Sequence, residues 1–183
     1  TEAAIFAAKM SDAMHAPESE MMGMMDVIQR GFNLGVKQDD MLQGFSKMSP
    51  ALKQIGMEGE KATRLLAPFL IQADQMGMAG ESAGNAMRKV FAKSIDKDKI
   101  DKSNELLKDK GVKLDFTNGK GEFGGFEQMY SELAKLKKLN TQDRNEAIKT
   151  LYGDDAEVMQ VVSMLIDKGK AGYDETLQKM DKQ

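Results

Sequence analysis

The side chains that could do chemistry are few, and their spacing limits what that chemistry could be. One histidine, His15, and no cysteine exclude tetrahedral zinc held by the usual ligands. His15 ends a helical pattern that Pro17 interrupts, so it reads as an ordinary boundary residue. Asp96, Asp98 and Asp101 suggest a calcium loop. An EF-hand, however, needs an oxygen ligand at loop position five and glycine at six, where Ile100 and Asp101 stand. Asp115 to Glu122 fails in the same way, with Lys120 in the place of that glycine. Gly119-Lys120-Gly121 and Gly124-Gly125 lack the Gly-x4-Gly-Lys-Ser/Thr order of a phosphate loop. No serine has a candidate base near it. The acidic pairs Asp39-Asp40 and Asp154-Asp155 fall at helix starts, where a negative charge favours the exposed N–H groups. No catalytic, cofactor-binding or metal-ligating residue is therefore assigned, and the chain is expected not to be an enzyme. What remains is the cluster Met21-Met22-Met24-Met25. Flexible thioethers suit an adaptable docking face, which makes Met21, Met24 and Met25 the candidate partner contacts. The stronger competing reading of the same residues is core, or a contact between lobes.

The elements that would position these residues are helical. The chain has 183 residues, which suits one domain or two closely packed lobes, here expected at 1–95 and 96–183. No tryptophan, eight phenylalanines and three tyrosines leave the packing to aliphatic residues and 16 methionines. A net charge of −3 from interleaved acids and bases is too balanced for a duplex-DNA binder that works by neutralising phosphates. No sequence-specific nucleic-acid partner is expected. No apolar run approaches the length of a membrane span and no signal peptide is visible, so no membrane contact is expected either. The Thr1 start and the uncapped Tyr173–Met180 end read as cuts through a longer helical protein.

Gly35-Val36, Gly56-Met57 and Gly77-Met78 recur every 21 residues, followed by Asp39, Glu58 and Glu81. A glycine just past a helix end adopts the left-handed conformation without a Cβ penalty, and the next apolar residue packs back on the last turn. The acidic residues are then expected in the first turn of the following helix. Around these corners the apolar spacing predicts a helix at Ala3–Met14 with Ile5, Ala8 and Met10 inward. The next helix should bury Met21, Met24, Met25, Ile28 and Phe32. Ser49-Pro50 is expected to separate 39–48 from 50–55, and Pro68 to kink a helix over Ala62–Met76. The stretch Gly77–Phe91 reads as the axle, with Gly84 a packing glycine that lets another helix approach. Farther on, a charged helix runs from Asp96 to Lys110 and stops at Gly111. Val112, Leu114 and Phe116 alternate with Lys113 and Asp115 before the Asn118-Gly119 turn, which predicts a small β-hairpin. Helices at Phe126–Lys138, after Thr141, and through Val158–Ile166 complete the chain, with a corner at Tyr152-Gly153-Asp154-Asp155. The structural glycines assigned to helix corners are Gly35, Gly56, Gly77, Gly84, Gly111 and Gly153. The expected fold is mainly α: a compact multi-helix domain of short helical hairpins with one β-hairpin near residues 112–123.

Taken in order, the Gly56 corner, the run Ala83-Gly84-Asn85-Ala86-Met87-Arg88, Lys110-Gly111-Val112 with its Asn118-Gly119-Lys120 turn, and Tyr152-Gly153-Asp154-Asp155-Ala156 resemble the core region of tail tape measure proteins of tailed bacteriophages. The resemblance spans about residues 1–170; Met21–Met25 and the charged Ser94–Ser103 depart from the family pattern. It implies a structural module acting in tail assembly, tail-length determination and genome ejection. The implied partners are tail tube, tail tip or tail assembly chaperone proteins. The implied location is the host cytoplasm during assembly and then the lumen of the virion tail. The alternative expectations are a non-enzymatic helical interaction module unrelated to phages and, behind it, part of a cell-wall hydrolase.

Overall fold

The computed structural model describes residues 1–183. Nine α-helices follow one another: α1 (Glu2–Met14), α2 (Met21–Asn33), α3 (Gln38–Leu52), α4 (Gly59–Gln75), α5 (Gly80–Ser94), α6 (Lys97–Leu107), α7 (Phe126–Ala134), α8 (Thr141–Tyr152) and α9 (Ala156–Asp181). Short 3-10 turns cover Glu18–Glu20, Lys108–Lys110 and Lys135–Lys138. The chain divides into two compact units, 1–88 with 172–183, and 89–171. Both divisions fall inside helices, α5 and α9, rather than at the expected boundary after residue 95. The last twelve residues thus belong with the first unit.

In the first unit the glycine corners have one geometry. Gly35, Gly56 and Gly77 take φ of 101°, 71° and 82°. At each, the glycine N–H donates to the carbonyl three residues back and the next N–H to the carbonyl five back: Gly35 to Phe32 and Val36 to Gly31, Gly56 to Lys53 and Met57 to Leu52, Gly77 to Asp74 and Met78 to Ala73. This paired bonding satisfies carbonyls that a helix end otherwise leaves bare. An alanine at any of the three is expected to cost about 1–2 kcal/mol, because an L-residue is strained in that region. Thermal melts of the three single variants check it; a variant that melts like the parent would show that its corner does not need the left-handed backbone.

Between corners, each helix packs on the one two elements along: α1 on α3 and α2 on α4, with α3 against α5 through glycines. An ideal Cβ on Gly84 would lie 2.3 Å from the Gly44 carbonyl oxygen, and one on Gly80 would lie 1.9 Å from that of Asp40. The same alternation governs the helix starts. Glu20 Oε1 accepts from the Glu60 N–H at 2.7 Å, and Asp40 Oδ1 from the Gly80 N–H at 2.8 Å. Each carboxylate thus reaches 40 residues along the chain to cap a helix that has no cap of its own. Asp39 and Glu81 occupy first turns as expected, whereas Glu58 is the residue before α4 and Glu60 holds that place.

The most enclosed helix here is α4, not α5: every residue from Leu66 to Ala73 is buried. The buried face of α2 is Met24, Val27, Ile28 and Gly31, with Phe32 51% exposed. The helix is rotated from the expected Met21–Phe32 stripe because Gly31 leaves room that the Met41 side chain fills, its Cε 3.0 Å from where a Cβ would stand. On α1, Met10 and Met14 are buried while Ile5 and Ala8 are exposed, so its core contact is confined to the C-terminal half. Helix α3 runs through Pro50 instead of breaking. Proline removes the N–H that the Ser46 carbonyl would receive, and the Ser49 hydroxyl donates to that carbonyl at 2.9 Å in its place. Helix α4 also continues through Pro68, and the Tyr173 hydroxyl donates to the Leu65 carbonyl one turn before it.

The second unit contains the main departure from expectation. No β-strand forms; a single antiparallel bridge joins Thr117 and Phe123. The alternation itself holds, with Val112, Leu114 and Phe116 buried and Lys113 and Asp115 exposed. Side chains, not a second strand, take the backbone groups. Asn104 of α6 accepts from the Leu114 N–H (2.7 Å) and donates to its carbonyl (2.8 Å). From α7, Gln128 Nε2 donates to the Asp115 and Thr117 carbonyls and Glu132 accepts from the Asp115 N–H. Lys135 Nζ donates to the Lys113 carbonyl. The return arm is only Glu122–Gly125, whose glycines have no side chains to pack. Its one aromatic, Phe123, lies edge-on to Phe91 and Phe126, centroids 6.2 and 6.1 Å away.

Elsewhere in this unit the apolar faces are as the spacing predicts. Met129, Tyr130, Leu133 and Leu136 are buried, as are Ala147, Ile148 and Leu151, and Val158, Val161, Val162, Leu165 and Ile166. Asn140, rather than Thr141, caps α8, its side chain accepting from the Asp143 N–H at 2.8 Å. Helix α9 is interrupted at Gly169, with φ 64° and ψ −171°.

Candidate functional site

The ionisable groups singled out in the sequence are spread along the chain and serve helix ends. His15 is the left-handed C-cap of α1, φ 51°. Asp96 caps α6, while Asp101 pairs with Lys97 at 2.6 Å on the same helix. Asp115 accepts from the N–H and hydroxyl of Thr117, and Asn118 from the N–H groups of Lys120 and Glu122, so the 115–122 loop closes on itself. No three acidic or histidine side chains converge on a common point. Gly111 and Gly153, with φ of 71° and 90°, lie at the ends of the α6 and α8 segments, as their assignment to corners requires. Gly84 lies inside α5 against Gly44.

Two carboxylates are perturbed in opposite senses. Hydrogen bonds from the Val158 N–H foremost, helped by Lys89 and the Glu157 N–H, hold the Asp155 carboxyl below its ordinary value. Burial first, and then the Asp40 charge, pushes Asp74 up, against a smaller opposing pull from Lys37. A depressed folded-state value gives stability that is present above the unfolded value of 3.8 and lost as pH falls through the folded one. A raised value has the opposite effect: the Asp74 charge destabilises at neutral pH, and this penalty fades on acidification. Asp155→Asn is thus expected to lower the melting temperature at pH 7 and Asp74→Asn to raise it, with both differences shrinking as pH falls. Melts across the carboxylate range check the signs; two shifts of the same sign at pH 7 would contradict this assignment.

The first unit carries a cleft of about 590 Å³ walled by α2, α4 and the last turn of α9. Its basic groups are engaged. Arg30 pairs with Asp26 at 2.7 Å and donates to the Met180 and Asp181 carbonyls, and Arg64 makes a two-pronged contact with the Asp181 carboxylate at 2.5 and 3.3 Å. This is a clamp on the end of α9. In the second unit a cleft of about 460 Å³ lies between α6 and residues 113–117.

The methionine cluster separates into three environments. Met24 is fully buried in the core, Met21 and Met25 are half-buried at its edge, and Met22 is 86% exposed. Met22, Phe32 and Ile5 are the large apolar side chains that this unit leaves in solvent. Met22 and Phe32 were not singled out as an exposed pair by spacing, since any rotation of a helix with four methionines in five positions looks equally periodic. The signal that fixes the rotation is Gly31, read as a place where a neighbour's side chain fits.

The phage-related minor tail protein family matches residues 1–153, ending at the Gly153 corner. The chain belongs to that family. A search of curated proteins found no match, and neither did a search of solved structures. Membership makes the chain a phage tail protein with protein partners in the tail. No helix is long and apolar enough to cross a membrane.

Proposed function

We propose that the chain is a core module of a tail tape measure protein, acting in tail assembly, in setting tail length and in genome ejection. The observation that carries this is the family match over residues 1–153, which takes in the whole ordered set of glycine corners. The module is the folded-back part rather than the ruler: its three 21-residue corners reverse the chain at each step. Its partners are tail tube, tail tip or tail assembly chaperone proteins, met first in the host cytoplasm and later in the tail lumen. The role is structural and not enzymatic. In its favour, the arginines of the larger cleft are engaged in holding the end of α9.

In the phage that encodes the chain, lengthening or shortening the gene in helical segments outside this module should change tail length by about 1.5 Å per residue. Tails of unchanged length under electron microscopy would end the tape measure reading. A cleared band on a peptidoglycan gel loaded with this chain would end the non-enzymatic one.

A further inference from the structure

The first unit is a stack in which α1 and α2 have a neighbour two elements on and none two elements before. Stacked helical arrays stay soluble by giving their end helices a polar outer surface. These two helices do the reverse, since they carry Ile5 (57% exposed), Met22 (86%) and Phe32 (51%), while α3 and α4 leave no large apolar side chain exposed. Met25 continues the surface at half-burial. The same stretch is acidic: Glu2, Asp12, Glu18, Glu20 and Asp26 outnumber Lys9 and Arg30. Arg30 is in addition turned to Asp26 and the end of α9.

We infer that the α1–α2 end of the stack docks a basic amphipathic helix of a partner protein. Charge decides between occupants. A second copy would bring the same acidic set against itself, and juxtaposed like charges oppose association. A lysine- and arginine-rich helix would meet opposite charge at the rim while its apolar face covers Met22, Phe32 and Ile5. Methionine's flexible thioether lets such a surface adapt to the helix it meets. This names the chemistry of the partner and rests on the reading of the chain as a tail assembly module.

The probe is a synthetic peptide of about 18 residues with leucines at 3–4 spacing and lysines elsewhere, long enough to be helical on contact. Its control carries glutamate in place of every lysine. Fluorescence anisotropy with the full chain should show the lysine peptide bound at least about tenfold more tightly than the glutamate one, with affinity falling as salt is raised. The triple variant Ile5→Ser, Met22→Ser, Phe32→Ser should weaken it by about tenfold or more. These side chains are exposed, so the variant should keep the parent's melting temperature. A second variant, Glu2→Gln, Asp12→Asn, Glu18→Gln, leaves the apolar surface intact and should weaken the lysine peptide alone. Equal binding of both peptides, or unchanged binding by either variant, overturns the inference. So does a dimer in sedimentation that the serine variant dissolves, because the occupant would then be a second copy. Failure here leaves tail length untouched, so it is distinguishable from failure of the tape measure reading.

Discussion

Replacing Gly84 by alanine is expected to lower stability by about 1–3 kcal/mol, although helix propensity alone predicts a gain of about 1 kcal/mol. The reason is what the new methyl group would meet. Its nearest atoms are the Gly44 carbonyl oxygen at 2.3 Å and the Gly44 Cα at 2.9 Å. These are backbone atoms of α3 and cannot swing aside, so the two helices would have to separate and lose packing along their whole contact. Gly80→Ala should behave in the same way, since its Cβ would lie 1.9 Å from the Asp40 carbonyl oxygen and Asp40 also caps the helix there. Two controls bracket the effect. Gly119 has open space around it and no positive φ, so alanine there should stay within about 0.5 kcal/mol of the parent. At Gly23 the obstacle is the carboxylate end of Glu60, a flexible side chain that can move away. Urea unfolding midpoints at unchanged slope give the comparison; a Gly84→Ala variant as stable as the parent would show that α3 and α5 do not depend on that close approach.

The features legible in the sequence are those whose cause is local. A glycine followed by an apolar residue closes a helix through bonds that reach back only three and five residues, so Gly35, Gly56 and Gly77 could be placed without knowing what surrounds them. The same holds for the carboxylate caps at Asp96 and Asp155, which bond within their own first turn. What could not be read depends on distant partners. The rotation of α2 is decided by Met41 filling the space at Gly31, and a glycine carries no weight in an apolar pattern. The continuation of α3 through Pro50 depends on one serine hydroxyl finding a freed carbonyl. The grouping of residues 172–183 with the first unit rests on Arg30, Arg64 and the Leu65 carbonyl, contacts that span more than a hundred residues. The candidate docking surface was legible only as a region: the sequence shows four methionines, and the packing separates the core residue Met24 from the solvent residue Met22.

The missing hairpin shows the same division and leads to the other large effect. Alternation at Val112–Phe116 and the Asn118-Gly119 turn are sound local signals, and an extended arm does follow. An arm of this kind must still place its N–H and C=O groups, and here Asn104 does so for Leu114, standing where a partner strand would. Asn104→Ala is therefore expected to cost about 2–4 kcal/mol, the sum for two partly buried backbone groups left without partners. Asn104→Asp keeps an acceptor for the Leu114 N–H but turns a carboxylate oxygen towards the Leu114 carbonyl, so it should not restore stability at neutral pH. Gln128→Ala should cost less, because it frees only carbonyls at the solvent edge, where water can replace the amide. Hydrogen exchange at the Leu114 amide separates this account from general loosening. Protection there should fall in Asn104→Ala while the amides of α4 keep theirs. A Leu114 amide as protected in the variant as in the parent would mean that the arm is held by its buried side chains alone, with the asparagine incidental to it.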